Sequence, residues 1–172
     1  TIDDNSRKIS QKSFIDLYKK NLIYVEQFPT IWCPECQTAI AQAELEDKEK
    51  ETQFITIQFS GEIKVATTRP ELLGACRAIF VHPTDARYKK LIGKKVKVPL
   101  YNHEVPIISD ESADKEKGTG ALMICSYGDK FDVEDIKKHK LMPKIIFTND
   151  GKLKDERYAG LKIKEARKKI EE

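Results

Sequence analysis

Two carboxylates three residues apart, Asp129 and Asp132, follow a short apolar run in "ALMICSYGDKFDVED". Such a pair can hold a cationic group or orient a water molecule. Asp is also a leading helix N-cap. Spacing alone therefore makes Asp132 the cap of a helix from Val133 to His139, with Asp135 at its third position and Asp129 shaping the turn. A second concentration of chemistry is "VATTRPELLG". Thr67 and Thr68 bring two hydroxyls, Arg69 a guanidinium and Pro70 a fixed φ, just where an apolar strand ends. A turn needs the proline; it does not need the other three together. The third is "GTG", Gly118-Thr119-Gly120, whose glycines allow close backbone approach. No Walker-type Lys-Ser/Thr follows, so a phosphate loop is not indicated.

Cys33 and Cys36 in "CPEC" have the spacing of half a structural zinc site. Four ligands are needed, and neither a second CxxC nor a suitably spaced His pair exists, so a zinc ion would have to be completed from outside these residues. The competing reading is a tight turn holding two thiols. His82, His103 and His139 each fit a structural position: a strand end, the turn "YNHE" and a helix C-terminus. None pairs locally with Ser or Cys as a nucleophilic triad would require.

The elements that must position these groups are mostly short strands. "FITIQF", "IKVAT", "AIFVHP", "KKVKVPL", "VPIIS" and "ALMIC" are β-rich runs separated by turn residues, with little helix between them. This spacing predicts a mainly β, α+β domain with a curled or barrel-like sheet, not a doubly wound parallel one. "KIIF" reads as one more strand before the turn "NDG". Ser13 to Asn21 reads as a helix, with Phe14, Leu17 and Tyr18 on one face and Ser13 with Asp16 as a capping box. "TAIAQAELEDKEKE" fixes no period, and its "KEKE" reads as a solvated turn. The end of the chain is charged and helical. The expected organisation is a flank over 1–50, a core over 51–150 and a helical flank over 151–172.

The 172 residues are 40% hydrophobic and carry a net charge of +3. That supports one ordinary core, and it lacks the concentrated basic stripe of a protein gripping a long duplex. No apolar run approaches the roughly 18 residues that span a bilayer, and the polar N-terminus has no signal-peptide core. The expectation is a cytoplasmic, monomeric chain without a membrane partner. It starts without Met and ends in "EARKKIEE", which suggests a piece of a longer protein.

Taken together, "VATTRPELLGACRAIFVHPTDARYKKLIGKKVKVPL" and "VPIISDESADKEKGTGALMICSYGDKFDVEDIKKHKL" resemble the editing insertion of class I aminoacyl-tRNA synthetases. The likeness is to the valyl, isoleucyl and leucyl branch, and is nearest the valyl members of archaeal type. "FIDLYKKNLIYVEQFPTIWCPECQTAIAQAELED" and "DGKLKDERYAGLKIKEARKKI" are similar to the flanks of that insertion.

The resemblance implies a distorted barrel-like editing domain that hydrolyses the ester joining a wrong amino acid to its tRNA. In the valyl system that amino acid is threonine; an isoleucyl- or leucyl-type specificity and a non-catalytic tRNA-binding module are the alternatives. It further implies that Asp132 anchors the α-ammonium of the misplaced amino acid, and that Asp129 bonds the threonine hydroxyl or positions water. Thr67, Thr68, Arg69, Pro70 and Leu72 would line the pocket, with Arg69 either pairing with a carboxylate to hold its loop or meeting a tRNA phosphate. Gly118, Thr119, Gly120 and Met123 would line it too. Met123 and Leu72 depart from residues common in the family, which bears on recognition of the amino acid. The implied partners are the acceptor end of mischarged tRNA and the rest of a synthetase in cis. Editing would need no cofactor. The HIGH and KMSKS signatures are missing, so ATP and magnesium would belong to the parent synthetase alone.

Overall fold

A computed structural model describes residues 2–49, 51–101 and 103–171. Lys50 of the expected "KEKE" turn, Asn102 of the expected "YNHE" turn and Glu172 of the expected helical flank lie outside them, as does Thr1. The chain divides into two compact units, residues 1–30 and 31–172. The first holds helix α1, Asp4–Lys19, capped by Asp3, whose carboxylate accepts from the Ser6 N–H at 2.7 Å. The helix thus begins nine residues before the Ser13 start that its apolar face suggested. The signal was Asp3, an N-cap type ahead of a polar but helix-compatible stretch.

The second unit opens with a tight hairpin. β1, Trp32–Cys33, pairs with β2, Thr38–Ala39, across the CPEC turn. The Trp32 indole N–H donates to the Asn149 carbonyl at 2.8 Å, and Pro34 lies against Gly151. The stretch that fixed no period opens with β2 and continues through a short 3-10 turn, Gln42–Glu44.

β3, Ile55–Gln58, and β4, Lys64–Thr67, form an antiparallel hairpin. A 3-10 helix over Pro70–Ala75 leads into β5, Cys76–Val81. β6, Lys95–Lys97, β7, Glu104–Ser109, and β8, Ala121–Cys125, complete a four-stranded sheet in the order β6-β7-β5-β8. β5 runs parallel to β7 and antiparallel to β8. The chain continues through α2, Lys130–Lys138, to α3, Ile163–Glu171.

Two expectations are corrected. Among the described residues the sheets do not close into a barrel: β4 has a ladder partner only in β3 and packs against β8 without joining its ladder. The contact is close because Gly118 has no side chain: a Cβ there would sit 2.7 Å from that of Ala66, and its φ is +59°. "KIIF" forms no strand; Phe147 makes one isolated bridge to Leu153. The apolar character of that run is used in packing instead, with Ile146 buried in the main core.

β5 explains why the core is continuous. Its side chains alternate between two apolar clusters, so both faces are covered. Ile79 and Val81 join Val65, Leu73, Val105 and Ile107 on one face. Ala78 and Phe80 meet Ile124 and Ile136 on the other, where α2 packs. α2 is also pinned at its C-terminal end. The Asp110 carboxylate, 4% exposed, accepts from the Ser112 N–H at 3.0 Å, Lys138 Nζ at 2.7 Å and His139 Nε2 at 2.6 Å. Asp110→Ala strands these donors, and is expected to lower the thermal midpoint by roughly 3–8 °C. Calorimetry of the two proteins at neutral pH checks this. Among the described residues no helix is long and apolar enough to cross a membrane.

Candidate functional site

β4 ends at Thr67, and the chain must turn sharply there. The Thr67 hydroxyl accepts from the Arg69 N–H at 3.1 Å, closing a small local turn. Pro70 then takes the first position of the 3-10 helix, where a missing N–H costs nothing and its φ is already set. All six residues of that helix are buried, Glu71 included. Glu71 is 0% exposed and is compensated by two guanidinium groups. Arg69 Nε donates to its Oε1 at 3.1 Å; Arg167 of α3 donates from Nε to Oε2 at 2.7 Å and from Nη2 to Oε1 at 2.8 Å. Arg69 also donates from Nη1 to the Gly128 carbonyl, which ties this turn to the loop after β8. Of the two roles considered for Arg69, carboxylate pairing is the one its geometry displays.

That loop and the first turn of the helix after it carry the two aspartates, and their capping roles differ from the sequence expectation. α2 starts at Lys130, three residues before Val133, and its cap is Asp129, whose Oδ1 accepts from the Asp132 N–H at 2.9 Å. Both residues are of the N-cap type, so spacing could not choose between them. The outcome leaves the Asp132 side chain free of capping. Its Oδ1 accepts from the Cys125 N–H at 2.9 Å, locking the carboxylate across the end of β8. Oδ2 lies over Gly128, where any Cβ would collide with it and press on Leu72. Burial pushes the Asp132 pKa up to about 7; the nearby Asp129 adds to the rise, while the Cys125 N–H and Arg69 oppose it. This is a carboxylate held rigidly, ionised only with difficulty, and short of a cationic partner.

A cavity of about 580 Å³ opens between the two segments. Thr67, Thr68, Arg69 and Leu72 line it from one side, Asp129 and Asp132 from the other, and Gly120 and Met123 from β8 and the turn before it. Of the residues singled out in the sequence, Pro70, Gly118 and Thr119 do not line it. Pro70 instead borders a neighbouring cavity of about 760 Å³, which Thr68 shares. Gly118 makes the close approach to Ala66, and the Thr119 carbonyl accepts from the Tyr88 hydroxyl at 2.7 Å.

Several wall residues were not anticipated. Phe54 and Phe131 are 56% and 61% exposed, large aromatics left open beside the cavity. Their signal was weak, since a single Phe in a strand-rich stretch reads as core. Ser112, Asp114 and Lys117 come from the loop after β7. Arg167 could not have been paired with Glu71 from sequence, the two being 96 residues apart.

The CPEC turn was the other candidate. The Cys36 N–H points at Cys33 Sγ, 3.4 Å away, and holds the Cys33 thiol below its ordinary pKa, while the adjacent Cys33 pushes Cys36 up. The shifts favour the thiolate at Cys33 and disfavour it at Cys36, and the two sulfurs supply only two donors of a tetrahedral four. Among the described residues no group of three or more His, Cys, Asp or Glu could hold a metal. Cys76 and Cys125 are buried, facing each other across β5 and β8, with burial raising both thiols.

Comparison with known proteins places this chain in a family. The family model for tRNA synthetases class I (I, L, M and V) matches residues 1–157. The valine–tRNA ligase of Pyrococcus furiosus is 50% identical over 179 residues, covering 100% of this chain and 20% of that protein. That of Methanocaldococcus jannaschii is 51% identical over 170 residues, covering 95% and 19%. That of Picrophilus torridus is 51% identical over 172 residues, covering 99% and 22%. The chain thus spans about a fifth of the length of these relatives. It belongs to the class I tRNA synthetases of the isoleucine, leucine, methionine and valine group.

Proposed function

We propose that this chain is the editing domain of a valyl-type synthetase, and that it hydrolyses the ester of threonine wrongly joined to tRNA(Val). One observation carries the reading: the Asp132 carboxylate, fixed by the Cys125 N–H, shares one cavity with Thr67, Thr68 and Arg69. The reading also takes the sheet and its packed β3–β4 hairpin as an editing-type fold, with 51–150 as its core and 1–50 and 151–172 as its flanks.

The need is physical. Valine and threonine are nearly isosteric, and an apolar pocket rejects the extra hydroxyl only about a hundredfold, an example the general theory of specificity takes from this very pair. A second, more polar site is required. In the cavity, the α-ammonium of the threonyl ester meets Asp132 in a charge-assisted contact. The second oxygen of Asp129 takes the threonine hydroxyl, and buried Met123 takes its methyl. Phe54 and Phe131 offer flat apolar faces to the terminal adenine, an interaction typical of single-stranded nucleic-acid ends. Thr67 and Thr68 face the ribose. Water adds to the acyl carbon, the bond to the ribose oxygen breaks, and the proton ends on that oxygen. The products are free threonine and an uncharged tRNA. Orienting an already labile ester and its water supplies most of the acceleration. Cys33 and Cys36 would hold a structural zinc only with two further ligands from beyond this chain, remote from the step above.

The test is a deacylation panel with Thr-tRNA(Val), Val-tRNA(Ile) and a misacylated leucine tRNA. Thr-tRNA(Val) is expected to be cleaved fastest, by about tenfold or more, since each competitor leaves Asp129 without the hydroxyl it bonds. Faster cleavage of either other substrate reassigns the specificity. Binding of all three without cleavage makes the chain an RNA-binding module.

A further inference from the structure

We propose that Arg167, on α3 and outside the cavity that holds Asp132, is a positioning residue for ester cleavage, acting through Glu71 on the Thr67–Pro70 turn. This rests on the deacylase reading above and extends it to a residue that touches neither ester nor water.

The connection is a run of hydrogen bonds that ends in a packing contact. Arg167 grips both oxygens of Glu71, at 2.7 and 2.8 Å. Glu71, 0% exposed, orients Arg69 through a 3.1 Å bond to Nε. A guanidinium is planar, so fixing Nε fixes the direction in which Nη1 points. Nη1 holds the Gly128 carbonyl, and Gly128 is the surface on which Asp132 Oδ2 rests. Glu71, Arg69 and Gly128 therefore link Arg167 to the anchoring carboxylate, and Arg69 is the side chain that bridges the two cavity walls at Gly128, beside the Ser126–Ala75 bonds.

Removal of Arg167 leaves Glu71 buried with one cation. A buried carboxylate short of a partner moves toward whatever remains or draws in water. Among the described residues the cation left in the network is Arg69, already bonded to Glu71 through Nε, which then gives up bridging the walls to neutralise Glu71 more fully. The pocket loosens without losing any group that contacts substrate. α3 itself stays docked, because Ala166 is fully buried beside Leu153 and Tyr158, with Leu161 and Ile170 packed around them. Arg167 side-chain exposure is 35%, so its truncation opens no core cavity.

The experiment measures kcat and KM for Thr-tRNA(Val) deacylation by the chain and by Arg167→Ala, Arg167→Lys and Asp132→Asn. Thermal midpoints and amide exchange across 127–132 are recorded on the same proteins. Arg167→Ala is expected to lower kcat about tenfold to a hundredfold with KM within about twofold, the size of effect that sub-ångström misplacement of a reacting group produces. Amides at 127–132 exchange faster. Arg167→Lys keeps the charge but not the two-pronged grip, and recovers kcat only in part; should the Ala variant fail to fold, this variant decides. An unchanged kcat with a lowered midpoint makes Arg167 a structural staple and overturns the proposal. A raised KM at unchanged kcat makes it a substrate contact and overturns it equally. If the unaltered chain and Asp132→Asn are both inactive, the deacylase reading itself fails and takes this proposal with it.

Discussion

Asp132→Asn gives a protein that unfolds later and edits worse. Asparagine keeps an oxygen for the Cys125 N–H, so the local geometry survives. It cannot carry the charge that meets an ammonium group, and deacylation of Thr-tRNA(Val) is expected to fall by about a hundredfold or more. Stability moves the other way. The folded-state pKa of Asp132, about 7, lies above its ordinary value of 3.8, chiefly through burial. Folding therefore favours the protonated form. The stability this gives is fully present below the unfolded value, is lost as pH rises toward about 7, and stays lost above it. Asparagine is neutral throughout. At pH 8 the variant should be more stable by ~1–3 kcal/mol, allowing for partial solvent access, and near pH 4 the two should coincide. Urea unfolding at both pH values tests this. An Asn variant no more stable at pH 8 than the parent would show that the carboxylate is comfortably solvated and not poised for a cation.

The same group sets the pH dependence of editing. The parameter kcat/KM reports ionisations of the free enzyme and free substrate. Productive capture needs Asp132 ionised and the ester's amine protonated. Below about 7, where Asp132 is protonated in the empty cavity, kcat/KM should fall about tenfold per pH unit. Above roughly pH 8 it should fall again as an α-amino group loses its proton. Once substrate is bound, the ammonium draws the carboxylate's pKa down, so kcat should be much flatter on the acid side. Spontaneous ester hydrolysis rises with pH and is subtracted from a protein-free control. In Asp132→Asn the acid limb should vanish. A flat kcat/KM between pH 5.5 and 7.5 in the parent chain would remove Asp132 from the role of anchor.

How much of this was legible beforehand differs by element. β5 was readable from "AIFV", the wholly apolar stretch that follows Arg77, as a strand covered on both faces must be. β8 was readable for the same reason. α1 was read too short because the apolar face at Phe14, Leu17 and Tyr18 begins eleven residues after its cap, and local propensity filled the gap. "KIIF" was overread: its apolar side chains meet the core, but no strand lies beside it to complete a ladder. The barrel was overread in a related way, since strand count and spacing do not say which strands bond and which merely pack. At the site, Asp129 and Asp132 were visible as a pair, while their division of labour required coordinates: one caps, the other is fixed by Cys125. The Glu71 network was illegible, because a buried charge three positions after Thr68 looks like a surface residue until its distant partner is seen.

The chain has a single tryptophan, and its indole is tethered to Asn149 at the edge of the CPEC hairpin. Its intrinsic fluorescence is therefore an optical gauge of that seam. Trp32 does not line the cavity that holds Asp132. Ligands entering the cavity should leave the emission spectrum alone, whereas a thiophilic ion captured by Cys33, next in sequence to the fluorophore, should shift or quench it.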